Sequence, residues 1–159
     1  MTIWIDSREK PRAITRIIET FDREGVRYIT NKLPVGDYMS IDNPRLVIDR
    51  KQSLQEVCLN VIQQRDRFVR ELERAREMEI RLIILVEHGG QIRTLPDVMS
   101  WVNPRLRESP LAVSGMRLFK IMAAMGVKYG VEWAFCDKRR TGAEIIRLLG
   151  GDTDDGAAV

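Results

Sequence analysis

Asp37, Asp49 and Lys51 carry the most chemistry in this chain by their types and spacing. They read Asp, eleven residues, Asp, one residue, Lys. Side chains two apart on a strand point the same way, so in Arg45–Lys51 the residues Val47, Asp49 and Lys51 share one face. Leu46, Ile48 and Arg50 share the other. Asp37 comes from a paired strand, so one carboxylate from each strand can meet beside a single lysine. Asp6 and Glu9 follow an earlier strand, and Glu56 in the first turn of the next helix can approach the same spot. Phosphodiester hydrolysis needs this assortment. Carboxylates hold a hard divalent cation, which polarises the phosphoryl oxygen and lowers the pKa of an attacking water. A lysine alongside stabilises the developing charge. With 31% charged residues, the same spacing also arises on a solvated hairpin rim held by ordinary ion pairs.

The elements that must position these residues follow from the apolar pattern. Ile3–Asp6 reads as a strand ending on a carboxylate. Pro11–Glu24 reads as a helix, with Pro at its start, Ile14, Ile17, Ile18 and Phe21 on one face, and Gly25 as its stop. Val26–Thr30 reads as a strand. Leu33–Ile41 and Arg45–Lys51 form a hairpin across the turn Asp42-Asn43-Pro44. The spacing of Leu54, Val57, Cys58, Val61, Ile62, Phe68, Val69, Leu72 and Ala75 predicts one long helix over about Ser53–Glu79. Arg65 falls in the middle of that stripe. Arg81–Glu87 is a continuous apolar strand, as in a sheet covered on both faces. Helices are expected at Thr94–Val102, Ser114–Met125 and Thr141–Leu149, and a strand at Val131–Cys136. The alternation gives an α/β fold with a central mixed sheet flanked by helices on both faces.

Composition narrows the function classes. The 159 residues suit one domain, with 44% apolar residues. The longest apolar run, Leu82–Val86, is too short to cross a bilayer, so no membrane partner is expected. The N-terminus lacks a basic region followed by an apolar core, so no secretory signal is read. Two cysteines and one histidine exclude a cysteine-based zinc site and a disulfide framework, and the cytoplasm is the expected compartment. Any histidine-based mechanism would rest on His88. The formal net charge is only +3, with arginine the dominant base. Residues 151–159 hold three Asp and no base, and read as a flexible acidic tail after one domain over residues 1–150.

Four motifs in order make the chain recognisable: Asp6-Ser-Arg-Glu9, Gly36-Asp-Tyr38, Asp49-Arg-Lys51 followed by Ser53-Leu-Gln-Glu56, and Gln64-Arg-Asp-Arg-Phe68. Across nearly the whole chain this resembles the nuclease domain of the XPF family of structure-specific endonucleases. The resemblance implies a restriction-endonuclease-like fold and Mg²⁺- or Mn²⁺-dependent cleavage of branched or junction DNA that leaves a 5′-phosphate. It implies no small-molecule cofactor. Carried over, Asp37 and Asp49 are metal ligands, with Glu56 or Asp6 as a further one, and Lys51 is the catalytic lysine. Arg50 is a helper against phosphate or a neighbouring carboxylate. Arg8, Glu9 and Tyr38 support the site, and Arg65 or Arg67 is the helix arginine. The chain departs from the family in three ways. Asp49 stands where the family usually has Glu. Gln55 sits at the usual spacing of the downstream acid, with Glu56 one position on. No tandem helix-hairpin-helix module or helicase region is present. A homodimer is therefore expected to supply substrate grip, in a stand-alone phage or bacterial version close to the nucleoid.

The remaining charged residues have two readings each. Arg105, Arg107, Arg117 and Lys120 can track a phosphate backbone or form a solvated helix face. Glu87 ends a strand beside the site and can support it. Glu71, Glu73, Arg74, Arg76, Glu77 and Glu79 read as ordinary helix-surface pairing. Two other function classes fit the same residues: a DNA-binding or scaffolding module without catalysis, and a nuclease without structure specificity.

Overall fold

The computed structural model describes residues 1–151, so all but the first residue of the expected acidic tail lies outside the described residues. Its centre is a six-stranded mixed sheet in the order β2-β1-β3-β4-β5-β6. The strands are β1 (Thr2–Asp6), β2 (Arg27–Asn31), β3 (Tyr38–Ser40), β4 (Asn43–Lys51), β5 (Arg81–Glu87) and β6 (Glu132–Cys136). Strand β1 runs parallel to β2 and antiparallel to β3, and β3 and β4 form the antiparallel hairpin. Strands β4, β5 and β6 run parallel, so Lys51, Val86 and Phe135 lie side by side at the carboxyl ends of their strands.

Helices cover both faces, because both faces of the central strands are apolar. On one side α1 (Thr15–Arg23) and α5 (Thr141–Leu149) pack onto Ile3, Ile5, Tyr38, Ile48, Ile83 and Leu85. On the other, α2 (Leu54–Cys58), α3 (Arg65–Glu77) and α4 (Gly115–Tyr129) pack onto Val47, Leu82, Ile84 and Val86. The α/β sandwich with a mixed sheet is as the sequence pattern leads one to expect. Among the described residues no helix is long and apolar enough to cross a membrane.

Several expected elements differ. The hairpin turn expected at Asp42-Asn43-Pro44 tightens to Ile41-Asp42, because Asn43 already pairs with Ser40 and opens β4. The single helix over Ser53–Glu79 is broken: α2 passes into a π-helical turn at Leu59–Gln63, and α3 restarts after Gln64, whose φ of −108° and ψ of 30° are not helical. The wider turn rotates the stripe, so Arg65 leaves the apolar face and is exposed. The segment expected as a helix at Thr94–Val102 holds only a 3₁₀ turn, Pro96–Ser100. The first hairpin strand shortens to Tyr38–Ser40, because Gly36 adopts φ of +65° and bends the chain ahead of it.

Candidate active site

Asp37, Asp49 and Lys51 meet on the α2–α4 face of the sheet, at the end where β4 and β5 finish. Asp49 and Lys51 are both buried on β4, and Lys51 Nζ lies 3.0 Å from Asp49 Oδ2. Asp37 sits just ahead of β3. Its backbone N–H donates to the Ile48 carbonyl at 2.8 Å, and its Oδ2 accepts the Arg50 backbone N–H at 2.8 Å. That close approach requires Gly36: a Cβ there would lie 2.5 Å from Val47 Cγ1 and 3.0 Å from the Ile48 carbonyl oxygen. The positive φ of Gly36 adds a second reason for glycine at this position.

The electrostatics of the pair are those of two acids sharing a small space. Burial, and then the Asp49 charge, hold the Asp37 carboxyl well above the usual carboxylate range. Burial pulls the Lys51 ammonium down, but Asp49, Glu71 and Asp37 together hold it above its ordinary value. Lys51 is therefore a cation here, a donor to anionic oxygen rather than a base. It also lies 5.8 Å from the centroid of the Phe68 ring. Asp49 Oδ2 is buried and, despite the nearby ammonium, has no aligned hydrogen bond. A crowded, buried acid pair fits a hard divalent cation, which takes one or two carboxylates and completes its shell with water and phosphate oxygens. Among the described residues no group of three His, Cys, Asp or Glu side chains gathers around a common point.

The remaining expected site residues are distributed differently. Arg50 points to the opposite face of the sheet, where its side chain is 2% exposed. There its Nε donates to Glu9 Oε2 at 3.0 Å and its Nη1 to Glu87 Oε1 at 3.1 Å. Tyr38 donates its hydroxyl to the same Glu9 oxygen at 2.7 Å. Arg50, Glu9 and Tyr38 thus brace the sheet behind the acid pair, and only the Arg50 backbone reaches it. Asp6 is fully buried and spends its oxygens on two loops, the one that follows it and the one after β2. Oδ2 accepts the Leu33 N–H at 2.7 Å, and Oδ1 accepts the Arg8 backbone N–H at 2.9 Å. Arg8 closes on Asp6 with its guanidinium as well. Glu56 closes the start of α2: its Oε2 accepts the Gln52 N–H at 2.7 Å, and its own N–H donates to the N-cap Ser53 Oγ at 3.1 Å. Exposed Arg65 donates to the Val61 carbonyl at 3.4 Å, and Arg67 is exposed. Arg105 and Arg117 line one groove of about 240 Å³ beside α2, while exposed Arg107 and Lys120 lie outside its lining.

Sequence reasoning missed two contributors. Glu71 on α3 accepts the Gly36 N–H at 3.1 Å and so fixes the turn that presents Asp37. It lies three residues from Phe68 and one from Leu72, both buried in the core, which is the one sequence signal for an inward tilt. Thr141, at the start of α5, donates to Glu87 Oε1 at 2.9 Å, and nothing in its local sequence marks it. Burial pushes the thiols of Cys58 and Cys136 up to about 11, so neither supplies a thiolate near neutral pH. Burial lowers the pKa of His88.

Comparisons with known proteins agree on one family. A family model described as the ERCC4 domain matches residues 5–149. Among solved structures, XPF from Aeropyrum pernix superposes with a TM-score of 0.66 at 22% identity, covering 94% of this chain and 63% of that one. A structure of XPF from Aeropyrum pernix in complex with DNA gives the same values. The chain thus spans less than two thirds of the length of either solved chain. A search of curated proteins finds no match.

Proposed function

The chain belongs to the ERCC4 domain family, and on that premise we propose that it is a metal-dependent endonuclease that hydrolyses phosphodiester bonds in branched or junction DNA. The observation that carries this reading is the acid pair: Asp37 and Asp49 crowded in a buried space beside the Lys51 ammonium. Mg²⁺ or Mn²⁺ is the proposed cofactor, held by Asp37 and Asp49. When bound, the cation supplies Lewis-acid polarisation of a phosphoryl oxygen and a lower pKa for the attacking water.

The chain's own residues do the rest. Lys51, kept charged by Asp49, donates to an oxygen on which negative charge grows as the phosphate is attacked. Arg50 N–H and the Ile48 carbonyl hold the Asp37 carboxylate and backbone in register with Asp49. Glu71 anchors the Gly36 turn. The groove bearing Arg105 and Arg117 is the proposed grip on the DNA backbone on this face. Dimerisation is proposed through α4, where Met116 and Val127 are 45% and 90% exposed on one side of the helix.

The test is a substrate panel. Purified protein is incubated with flap, fork, four-way and linear duplex DNA in Mg²⁺, Mn²⁺ or EDTA, and products are resolved on denaturing gels. Metal-dependent cutting near the branch, with little of the linear duplex cut, supports the reading. Equal cutting of all four substrates reduces it to a nuclease without structure specificity. Binding without cutting reduces it to a DNA-binding module.

A further inference from the structure

The structure points to a second anionic-ligand site on the face opposite the acid pair, which we infer grips the DNA phosphodiester backbone to one side of the cut. It rests on the nuclease reading above and extends it to a surface that reading does not use. A cleft of about 490 Å³ lies between the start of α1 and the 3₁₀ turn Lys138–Arg140, lined chiefly by polar residues. Arg12 and Arg16 enter it from one wall and Lys138 from the other. Each of these three side chains lacks an ion pair among the described residues, whereas Arg8, Arg81 and Arg139 are each paired with a carboxylate. The first turn of α1 carries no acid to oppose them.

Two acids line the same cleft, and neither neutralises the bases. Glu87 is turned to Arg50 Nη1 at 3.1 Å and to the Thr141 hydroxyl at 2.9 Å. Glu19 is exposed and makes no ion pair there. With Glu19 counted against Arg12, Arg16 and Lys138, the cleft keeps an excess of two positive charges. Other surface bases, such as Arg23 and Arg147, are paired with neighbouring carboxylates, Glu24 and Glu144.

Placement supplies the reason for the excess. Gln52 lines the cleft and directly follows Lys51. Glu87 also lines it and directly follows Val86, the residue paired with Lys51 in the sheet. The cleft therefore opens at the same end of the sheet, the rim formed by the carboxyl ends of β4 and β5, but on the α1–α5 face. A polyanion crossing that rim is met by the acid pair on one side and by Arg12, Arg16 and Lys138 on the other. A DNA backbone is continuous and can occupy both, whereas a free phosphate fills one alone.

The experiment measures binding of a fluorescent fork DNA by anisotropy across a salt series, in an Asp49→Asn background that prevents cutting. The triple change Arg12→Ala, Arg16→Ala, Lys138→Ala is compared with Arg23→Ala, Arg27→Ala, Arg81→Ala, whose positions lie at the opposite ends of the elements. Each neutralised phosphate adds about 0.9 to the slope of log K against log salt. The first triple is expected to reduce that slope by about 2–3, and the second to leave it unchanged. Circular dichroism and Tm confirm folding of both. An unchanged slope in a folded first triple overturns the inference and leaves the nuclease reading standing if the unmodified protein cuts. Absence of DNA binding by the parent overturns both. Inorganic phosphate that binds the parent but not the first triple, while both proteins bind DNA with the same salt slope, identifies a free-anion site and overturns the backbone assignment.

Discussion

Arg50 holds Asp37 by its backbone and turns its side chain away: the N–H donates to Asp37 Oδ2 at 2.8 Å while the guanidinium is buried behind the sheet between Glu9 and Glu87. Removing that guanidinium strands two carboxylates in the interior. Breaking a buried pair by deleting one partner costs on the order of 3–5 kcal/mol. Arg50→Met is therefore expected to lower Tm sharply and to lose activity in proportion to unfolding. Lys51→Met also removes one partner of a buried pair and is expected to lower Tm, but it abolishes cutting by the protein that remains folded. Thermal melts read beside cleavage rates separate the two, and a stable, inactive Arg50→Met would show that its side chain acts on the substrate.

The acid pair carries a stability cost that a cation relieves. Burial and Asp49 raise the Asp37 pKa in the folded chain. The resulting stability is present below the unfolded carboxylate pKa and is lost as pH rises through the folded value. Without metal, Asp37→Asn is expected to raise Tm near neutral pH by ~2–4 °C, on the order of 1 kcal/mol, while eliminating cutting. Mg²⁺ or Mn²⁺ is expected to raise the parent Tm more at about pH 8 than at about pH 5. A metal-induced shift that is independent of pH, or that persists in Asp37→Asn, would place the cation elsewhere.

Glu56 is a capping residue in this geometry. Glu56→Ala removes the contact to the Gln52 N–H and is expected to cost about 1 kcal/mol. Glu56→Gln keeps an acceptor for the Gln52 N–H and is expected to cut at close to the parent rate. A loss of cutting in Glu56→Gln comparable to that in Asp49→Ala would instead make the carboxylate a metal ligand.

Glu71 acts on Asp37 through the turn. Glu71→Ala frees the Gly36 N–H and is expected to weaken the metal dependence, seen as a several-fold higher Mg²⁺ concentration for half-maximal rate, with the rate at saturating Mg²⁺ largely restored. Gly36→Ala is more severe, because a methyl group meets Val47 and the Ile48 carbonyl at a positive φ. It is expected to cost at least ~2 kcal/mol. Metal titrations of cleavage by both variants test this ordering.

Strand faces were legible in the sequence because the period of two is rigid. It placed Asp49 and Lys51 together and Arg50 with Ile48 on the far side, even though the resemblance groups all three as one motif. The α3 region was less legible. A helical period fitted across Leu54–Ala75 assumes uniform turns, and the π turn at Leu59–Gln63 adds rotation that no residue type there announces. That rotation exposes Arg65. Glu71, part of a run of alternating charge, gains its role only from the packing of α3 against the Gly36 turn. Asp6 and Glu56 have the right chemistry for a metal, but neighbouring backbone N–H groups engage both.

The most direct measurement is cleavage of a fork DNA by the unmodified protein and by Asp49→Asn, each shown to be folded, in Mg²⁺ and in EDTA. The expected result is cutting by the unmodified protein in Mg²⁺ alone, with a loss of at least ~10²-fold in Asp49→Asn, the scale seen when one preorganised electrostatic group is removed from an active site. Cutting that survives EDTA, or an Asp49→Asn protein that cuts as fast as its parent, would contradict a metal-dependent site at Asp37 and Asp49.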